Sequence, residues 1–189
     1  KKLIPKNHII KKKDLIMKRV DNAQINSVSI NSFIKRKSII NIKKDTPINK
    51  SFEKNDIIAL IIVRSDSKRL PNKGTKKICG YMAIEHLIKR LKKSKKINKI
   101  IICTTKRKKD KIFKPISKKY NVDIFFGDNK DVLKRMIGSI KNKRCEIALR
   151  ITADDILVDP IYLDKNIDYH LQHNLEYSNN KKLPSGMEV

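Results

Sequence analysis

The stretch Ile57-Ile-Ala-Leu-Ile-Ile-Val63 decides the fold, because an unbroken apolar run rich in β-branched residues is typical of a strand buried on both faces. Residues 99–104, with three consecutive isoleucines, predict a second strand of this kind. Residues 122–126 and 146–151 predict a third and a fourth. Strands buried on both faces are characteristic of parallel sheets that helices cover on each side.

Helical patterns separate these strands. Residues 82–91 place four apolar side chains on one helical face: Ile84, Leu87, Ile88 and Leu91. Residues 108–120 predict a helix that Pro115 restricts, and residues 130–140 predict a helix with Asp128 as its N-cap. Asp159 and Pro160 predict the cap and first turn of a last helix, which runs to about residue 173. The alternation predicts an α/β fold with a mainly parallel sheet and right-handed crossovers.

Parallel sheets of this class bind ligands beyond the carboxyl ends of their strands. That rule selects the four loops at residues 64–80, 104–109, 127–131 and 152–159. The first loop gathers four cations and two hydroxyls directly after a buried strand: Arg64, Lys68, Arg69, Lys73, Ser65 and Ser67. Such side chains, together with loop amides, suit a polyphosphate. The alternative is a chance cluster in a very basic chain, and the spacing is not that of a Walker loop.

The fourth loop is acidic. Asp154 follows the fourth strand, where a carboxylate is a natural ligand for Mg²⁺ shared with substrate phosphates. Asp159 is better explained as the helix cap, and Asp155 is expected to be solvated. Asp154 is therefore the candidate metal ligand.

Residues 58–189 resemble the cytidylyltransferases of the spore-coat polysaccharide type, relatives of the CMP-sialic acid and CMP-Kdo synthetases. The family motif A-R-x-G-S-x-R-L-P-x-K corresponds to Val63-Arg-Ser-Asp-Ser-Lys-Arg-Leu-Pro-Asn-Lys73. Further matching blocks follow in order: Ile84-Glu-His86, Arg90-Leu91, Cys103-Thr-Thr105, Phe126-Gly127, Asp131-Val-Leu133, Arg150-Ile-Thr-Ala-Asp154, Asp159-Pro160 and Pro184-Ser-Gly-Met-Glu-Val189.

The resemblance implies a Rossmann-like nucleotidyltransferase that transfers CMP from CTP to a sugar hydroxyl with Mg²⁺ and releases pyrophosphate. It implies that Arg64, Ser67, Arg69 and Lys73 hold the CTP phosphates, with Thr104 and Thr105 near the nucleotide. Asp154 would hold Mg²⁺, and Glu188 stands at the position of a second family aspartate. The residues expected to be catalytic are Arg64, Lys73 and Asp154.

Several positions depart from the family pattern. Asp66 replaces the loop glycine and puts an anion where a phosphate is expected to approach. Val63 and Ala153 replace alanine and glycine, and Ile156 replaces the usual proline. These differences leave open an alternative, an inactive scaffold with the nucleotidyltransferase fold.

The first region, residues 1–55, is expected to be a separate domain before the cytidylyltransferase domain at 56–189. Residues 4–15 and 42–53 resemble each other at an offset of 38, by a weak duplication or by chance. Residues 4–19 and 39–48 resemble the antifreeze-like (SAF) domain that ends sialic acid synthases, a small β-rich module. The resemblance implies that Arg19 contacts the sugar site of a neighbouring subunit. It also implies a chain, here a fragment that stops within its second domain, that couples synthesis of an acidic nonulosonate sugar to its activation.

The net charge of +27 suggests a second alternative, a basic nucleic-acid-binding protein. The excess runs through the whole chain, lysine supplies most of it, and few aromatic side chains are present for base stacking, which together argue against that alternative. Cys79, Cys103 and Cys145 are odd in number and widely spaced, which indicates reduced thiols in a cytoplasmic protein. No apolar run is long enough to span a membrane, and a homodimer is expected for the full-length protein.

Overall fold

Strand β1 (Ile57–Ile62) is an inner strand of the parallel sheet, as its apolar run predicts. The computed structural model describes residues 3–16, 34, 38, 40–45, 56–66, 70–173, 175–179 and 187. Within these residues the main sheet has the order β5-β4-β1-β6, with β4 at Lys99–Thr105, β5 at Asp123–Gly127 and β6 at Ile147–Thr152. All three neighbouring pairs are parallel. The predicted parallel α/β sheet is confirmed.

Helices cover this sheet on both faces. Ile58 and Leu60 of β1 form one core with Ile101 and Cys103 of β4, and Met136 and Ile140 of α3 (Val132–Ile140) pack against it. Helices α1 (Ala83–Leu91) and α2 (Phe113–Tyr120) follow β1 and β4, which step in one direction across the sheet. Right-handed crossovers therefore place these two helices on the face opposite α3. The last helix, α4, spans Pro160–Gln172.

The direction of the crossovers reverses at β1. The chain steps from β1 to β4 and β5 on one side, and then returns through α3 to β6 on the other side of β1. The loops that follow β1 and β6 therefore flank the topological switch point, where open α/β sheets bind their ligands.

Local details correct two of the sequence predictions. Asp131, not Asp128, caps α3 by accepting the Lys134 N–H at 2.9 Å. Asp128 lies three residues earlier and accepts the N–H groups of Lys130 and Asp131, so two acids near the start of this helix are suited to cap it. The helix predicted over 108–120 begins as a 3₁₀ turn at Lys108–Ile112, so Pro115 lies in the first turn of α2, where it is tolerated.

Two further local features are a hairpin before α1 and the cap of α4. A short antiparallel hairpin of β2 (Lys77–Ile78) and β3 (Tyr81–Met82), which the sequence patterns did not reveal, leads into α1. The cap of α4 is confirmed, since Asp159 Oδ1 accepts the N–H groups of Ile161 and Tyr162.

The three cysteines are free thiols in different surroundings. Cys103 is buried in the sheet, where desolvation raises its pKa to about 11, and Cys145 is half-buried with a raised pKa. Cys79 lies exposed in the turn of the β2–β3 hairpin.

The chain divides into two compact units, one of residues 1–54 with 167–178 and the other of 55–166 with 179–189. In the first unit, Ile4 and Ile42 exchange backbone hydrogen bonds of 2.9 and 2.8 Å as an antiparallel bridge. Each is followed three residues later by a residue with positive φ, Asn7 at 71° and Asp45 at 61°. Two equivalent turns thus stand at the offset of the sequence repeat. Among the described residues, no helix has the length and apolar character needed to span a bilayer.

Candidate nucleotide-binding site

The loops after β1 and β6 meet at the switch point. Lys73 Nζ donates to Asp154 Oδ2 at 2.6 Å, although the two residues are 81 positions apart in the chain. Partial burial raises the pKa of Asp154, but the bonds from Lys73 and Thr152 outweigh this effect and hold it below its ordinary value. A lysine predicted to bind phosphate and an acid predicted to bind Mg²⁺ therefore share one location.

The β1 loop is folded tightly enough to place Lys73. The Asn72 N–H donates to the Ser65 carbonyl at 2.9 Å, and Asn72 adopts a left-handed conformation with φ of 57°. Gly74 is buried, and a Cβ at this position would lie 2.7 Å from Val63 Cγ2. Glycine lets the chain cross the end of β1 directly after Lys73, which fixes the lysine beside the sheet.

Arg64, in the loop after β1, lies close to Asp66, the acid that stands in place of the motif glycine. Arg64 Nε lies 3.7 Å from Asp66 Oδ1, and Asp66 Oδ2 forms an ion pair with Arg107 from the loop after β4. All three side chains remain partly exposed. The Arg64–Asp66–Arg107 cluster thus joins the first loop to the second.

A buried acid, Asp110, holds together the loops that carry this cluster. Asp110 is fully buried, accepts the Ser65 N–H at 2.8 Å with Oδ1, and accepts the Thr105 hydroxyl with Oδ2. Desolvation raises the pKa of Asp110, but the bonds from Thr105 and Ser65 lower it more, so it lies below the ordinary value. Asp110 remains ionised near neutral pH and fastens the β1 loop to the end of β4.

The two threonines predicted near the nucleotide are buried at the end of β4. The Thr105 hydroxyl is committed to Asp110 and also accepts the Arg107 N–H at 3.3 Å. The Thr104 hydroxyl has no hydrogen-bond partner within the part of the chain that the structure describes. Thr105 therefore organises the loop, while Thr104 keeps a free hydroxyl.

A further cation reaches this region from α3. Arg135 is 2% exposed, its Nη1 donates to the Asp128 carbonyl at 2.8 Å, and it is close enough to Arg64 and Asp110 to interact with both charges. Desolvation lowers its pKa from the usual arginine value. This buried guanidinium adds positive potential beneath the carboxyl edge of the sheet.

The sequence reasoning missed Arg107, Asp110 and Arg135. Arg107 and Asp110 lie in or next to the loop after β4, where a run of basic residues gave no reason to single them out, and Arg135 lies within a predicted helix. A lone acid within the basic stretch 106–114 was the available signal for Asp110. Four predicted site residues lie outside the described residues: Ser67, Arg69, Glu188 and Arg19.

The donors present fit a magnesium ion that arrives with a nucleotide. Asp154 offers one partly exposed carboxylate, whereas Asp155 is occupied by the N–H and hydroxyl of Thr152 rather than solvated as expected. Across the described ranges, no group of three or more histidine, cysteine, aspartate or glutamate side chains gathers to hold a metal ion. Mg²⁺ commonly needs only one or two carboxylates, with water and substrate phosphates as its other ligands.

Comparison with known proteins finds several relatives of this chain. An uncharacterised protein of Methanocaldococcus jannaschii is 37% identical over 69% of this chain and 54% of its own length. The spore coat polysaccharide biosynthesis protein SpsF of Bacillus subtilis is 28% identical over 70% of this chain and 57% of its own. The structure of a cytidylyltransferase from Leptospira borgpetersenii has a TM-score of 0.63 at 28% identity, over 71% of this chain and 58% of that one.

The chain spans a little over half the length of the relatives it matches. A family model described as cytidylyltransferase matches residues 58–188, a range that includes both loops of the switch point and the buried Asp110. This chain belongs to the cytidylyltransferase family.

Proposed function

We propose that the protein transfers CMP from CTP to a hydroxyl of an acidic sugar of the nonulosonate class and releases pyrophosphate. The observation that carries the proposal is the contact of Lys73 with Asp154 at the switch point. It joins a cation suited to phosphate and a carboxylate suited to Mg²⁺ in the place where this fold binds nucleotides.

Arg64 and Lys73 are assigned to the triphosphate of CTP, together with Ser67 and Arg69. Guanidinium groups bind phosphate oxygens in pairs, while a lysine ammonium acts as a point charge. Thr104, with its free hydroxyl, is assigned to contact the nucleotide, and Thr105 to hold the loop that surrounds it.

The reaction needs no covalent protein intermediate. The sugar hydroxyl attacks the α-phosphorus and gives up its proton to solvent, a new oxygen–phosphorus bond forms, and the bond to the bridging oxygen of the β-phosphate breaks in line with it. Arg64 and Lys73 stabilise the negative charge that develops on the phosphate oxygens and on the departing pyrophosphate. Asp154 and Glu188 would hold Mg²⁺, which supplies further charge neutralisation at the phosphates.

The acidic sugar is proposed from the family resemblance and from the positive charge of the chain, which attracts anionic substrates. The SAF-like assignment of residues 1–55 belongs to the same proposal. The equivalent turns at Asn7 and Asp45 support it, since they place an internal repeat in this region. In that arrangement Arg19 contacts the sugar site of a neighbouring subunit in a cytoplasmic homodimer, whose full-length chain also contains a sialic-acid-synthase-like enzyme.

Calorimetric titration with CTP and Mg²⁺ tests the proposal. We expect wild type to bind CTP, and Lys73→Gln to weaken binding by about tenfold or more, since one charge-assisted contact to phosphate is lost. Lys143→Gln is the matched control, because Lys143 pairs with Asp123 at the start of β5, away from the switch point. Absence of CTP binding to wild type, or equal affinity of wild type and Lys73→Gln, would contradict the proposal.

One observation favours a second candidate, a scaffold without turnover. Asp66 lies against Arg64 and Arg107, so the cations of the phosphate loop already hold an anion. If this blocks the reaction, wild type shows no cytidylyl transfer and Asp66→Gly restores it. Pyrophosphate release measured with both proteins separates the two candidates.

A further inference from the structure

The Arg64–Asp66–Arg107 cluster has the form of an occupied anion site. Two guanidinium groups from different loops converge on one carboxylate, and Asp66 Oδ2 is paired directly with Arg107. Carboxylate and phosphate present similar oxygen geometry to arginine, so a pocket that holds the first can also hold the second.

The carboxylate is poorly satisfied in this position. Asp66 Oδ1 is buried with no hydrogen-bond donor among the described residues, and its nearest cation, Arg64 Nε, is 3.7 Å away, beyond hydrogen-bond distance. A buried anionic oxygen without a donor is unfavourable. A phosphate group, with three oxygens and greater charge, can satisfy both guanidinium groups more completely than this short side chain.

The two arginines are held near each other by contacts that do not involve Asp66. Asp110 accepts the Ser65 N–H from the β1 loop and the Thr105 hydroxyl from β4. The same Thr105 hydroxyl accepts the Arg107 N–H at 3.3 Å. The backbones of residues 65 and 107 are therefore tied through Asp110, without a contribution from Asp66.

We propose that Arg107 is a phosphate-binding residue and that Asp66 is an internal competitor, occupying the subsite of Arg64 and Arg107 until a phosphate of the nucleotide displaces it. This inference rests on the proposed function in naming CTP as the ligand. The carboxylate of an acidic sugar has similar chemistry, but the position of Arg64 directly after β1, in the phosphate loop, assigns the subsite to the nucleotide.

The test compares wild type with Asp66→Asn, which removes the charge and nearly keeps the shape. Asp123→Asn is the matched control, because it also removes one acid paired with two basic side chains, Lys99 and Lys143, at the opposite edge of the sheet. Affinities for CTP, cytidine, inorganic pyrophosphate and N-acetylneuraminate are measured by calorimetry. Circular dichroism melting of each variant verifies that it is folded.

We expect Asp66→Asn to bind both CTP and pyrophosphate roughly tenfold more tightly than wild type, because a like charge leaves the subsite. Cytidine affinity and all affinities of Asp123→Asn should stay at wild-type values. Adding Arg107→Gln should weaken pyrophosphate binding more in the Asp66→Asn background than in wild type, since Arg107 is then free to bind it.

The results separate this inference from the proposed function. Unchanged pyrophosphate and CTP affinity in Asp66→Asn overturns the inference while CTP binding by wild type upholds the function. Tighter pyrophosphate binding by Asp66→Asn without CTP binding by either protein upholds the anion subsite and overturns the function. A gain confined to an acidic sugar such as N-acetylneuraminate overturns the assignment to phosphate.

Discussion

Asp110 is fully buried yet ionised, because donors from two different loops bond to its carboxylate. Replacement by asparagine keeps the shape but removes the charge that strengthens both bonds. We expect Asp110→Asn to lower the free energy of unfolding by about 1–3 kcal/mol, the usual range for a compromised buried hydrogen bond. CTP binding should weaken as well, because Ser65 and Arg107 lose their common anchor. Urea denaturation and calorimetry measure the two effects.

The pH dependence of this loss has a definite sign. A carboxyl group whose pKa is lowered by folding stabilises the protein above its ordinary pKa of 3.8, and that contribution disappears as the pH falls through the folded-state value. The stability difference between wild type and Asp110→Asn should therefore be full at neutral pH and shrink in acid below 3.8. A difference that is constant or grows in acid would show that Asp110 does not act through its charge.

At the level of single residues, the sequence predicted where site residues lie in the fold better than it predicted which side chains they contact. Lys73 and Asp154 were assigned to one crevice because the ends of parallel strands meet at one edge, and the structure places them in contact. The partners of Asp66 were not predictable, since Arg107 is one of several adjacent basic residues in its loop. Which of these reaches Asp66 depends on the Thr105–Asp110 contact, which has no sequence signature.

Helices α1 and α2 are joined by one acid. Glu85 is 6% exposed, and its Oε2 accepts the Met82 N–H at 2.7 Å at the start of α1. Its Oε1 accepts from Lys119 Nζ at 2.7 Å and from the Tyr120 hydroxyl at 3.0 Å, both at the end of α2. Desolvation raises the pKa of Glu85, but these bonds outweigh it and lower the pKa overall.

We expect Glu85→Gln to lower the free energy of unfolding by about 1–3 kcal/mol, because a buried carboxylate with three donors cannot be matched by a neutral amide. Glu146→Gln is the control, since Glu146 is exposed and its Oε1 pairs with Arg144 at 3.0 Å on the surface. Urea denaturation of both variants provides the comparison. Equal loss in the two would show that the bonds between the helices add little.

At the level of elements, the hydrophobic pattern was sufficient to predict the four main strands but not the short hairpin strands or the helix cap of α3. The β2–β3 hairpin contains four strand residues and three of these are exposed, so it lacks the alternation that marks a longer strand. The cap of α3 was misplaced because Asp128 and Asp131 are both suited to cap a helix, and the residue types alone do not choose between them. The cap of α4 was unambiguous because proline follows it.

For the whole molecule, the net charge of +27 sets a strong self-repulsion. Salt screens this repulsion over a Debye length of about 10 Å at 0.1 M. We expect the melting temperature to rise when NaCl is increased from about 50 mM to about 0.5 M, because the higher concentration screens the repulsion between the basic side chains more strongly. A fall in melting temperature over the same range would show that attractive ion pairs such as Lys73–Asp154 outweigh the repulsion.

Family membership and fold class were predictable at this scale because ordered motif blocks cover the region that the family model matches. The domain boundary, the SAF-like assignment and the oligomeric state stay predictions. Among the described residues of the first unit, Ile4, Ile10 and Ile42 form one buried cluster. Isolated apolar residues of this kind do not form the longer periodic runs from which a domain is predicted.

The unequal surroundings of the three thiols have a practical consequence. A maleimide reagent attacks thiolates that solvent can reach, so Cys79 in the hairpin turn should react first, while Cys103 is shielded and its raised pKa keeps it protonated. Cys145 is half-buried and burial raises its pKa, so it should react more slowly, and a fluorophore can be attached mainly at Cys79 without prior mutagenesis. Cys79 lies between the first loop and α1. The fluorescence of a dye attached there should therefore change when a ligand binds at this end of the sheet.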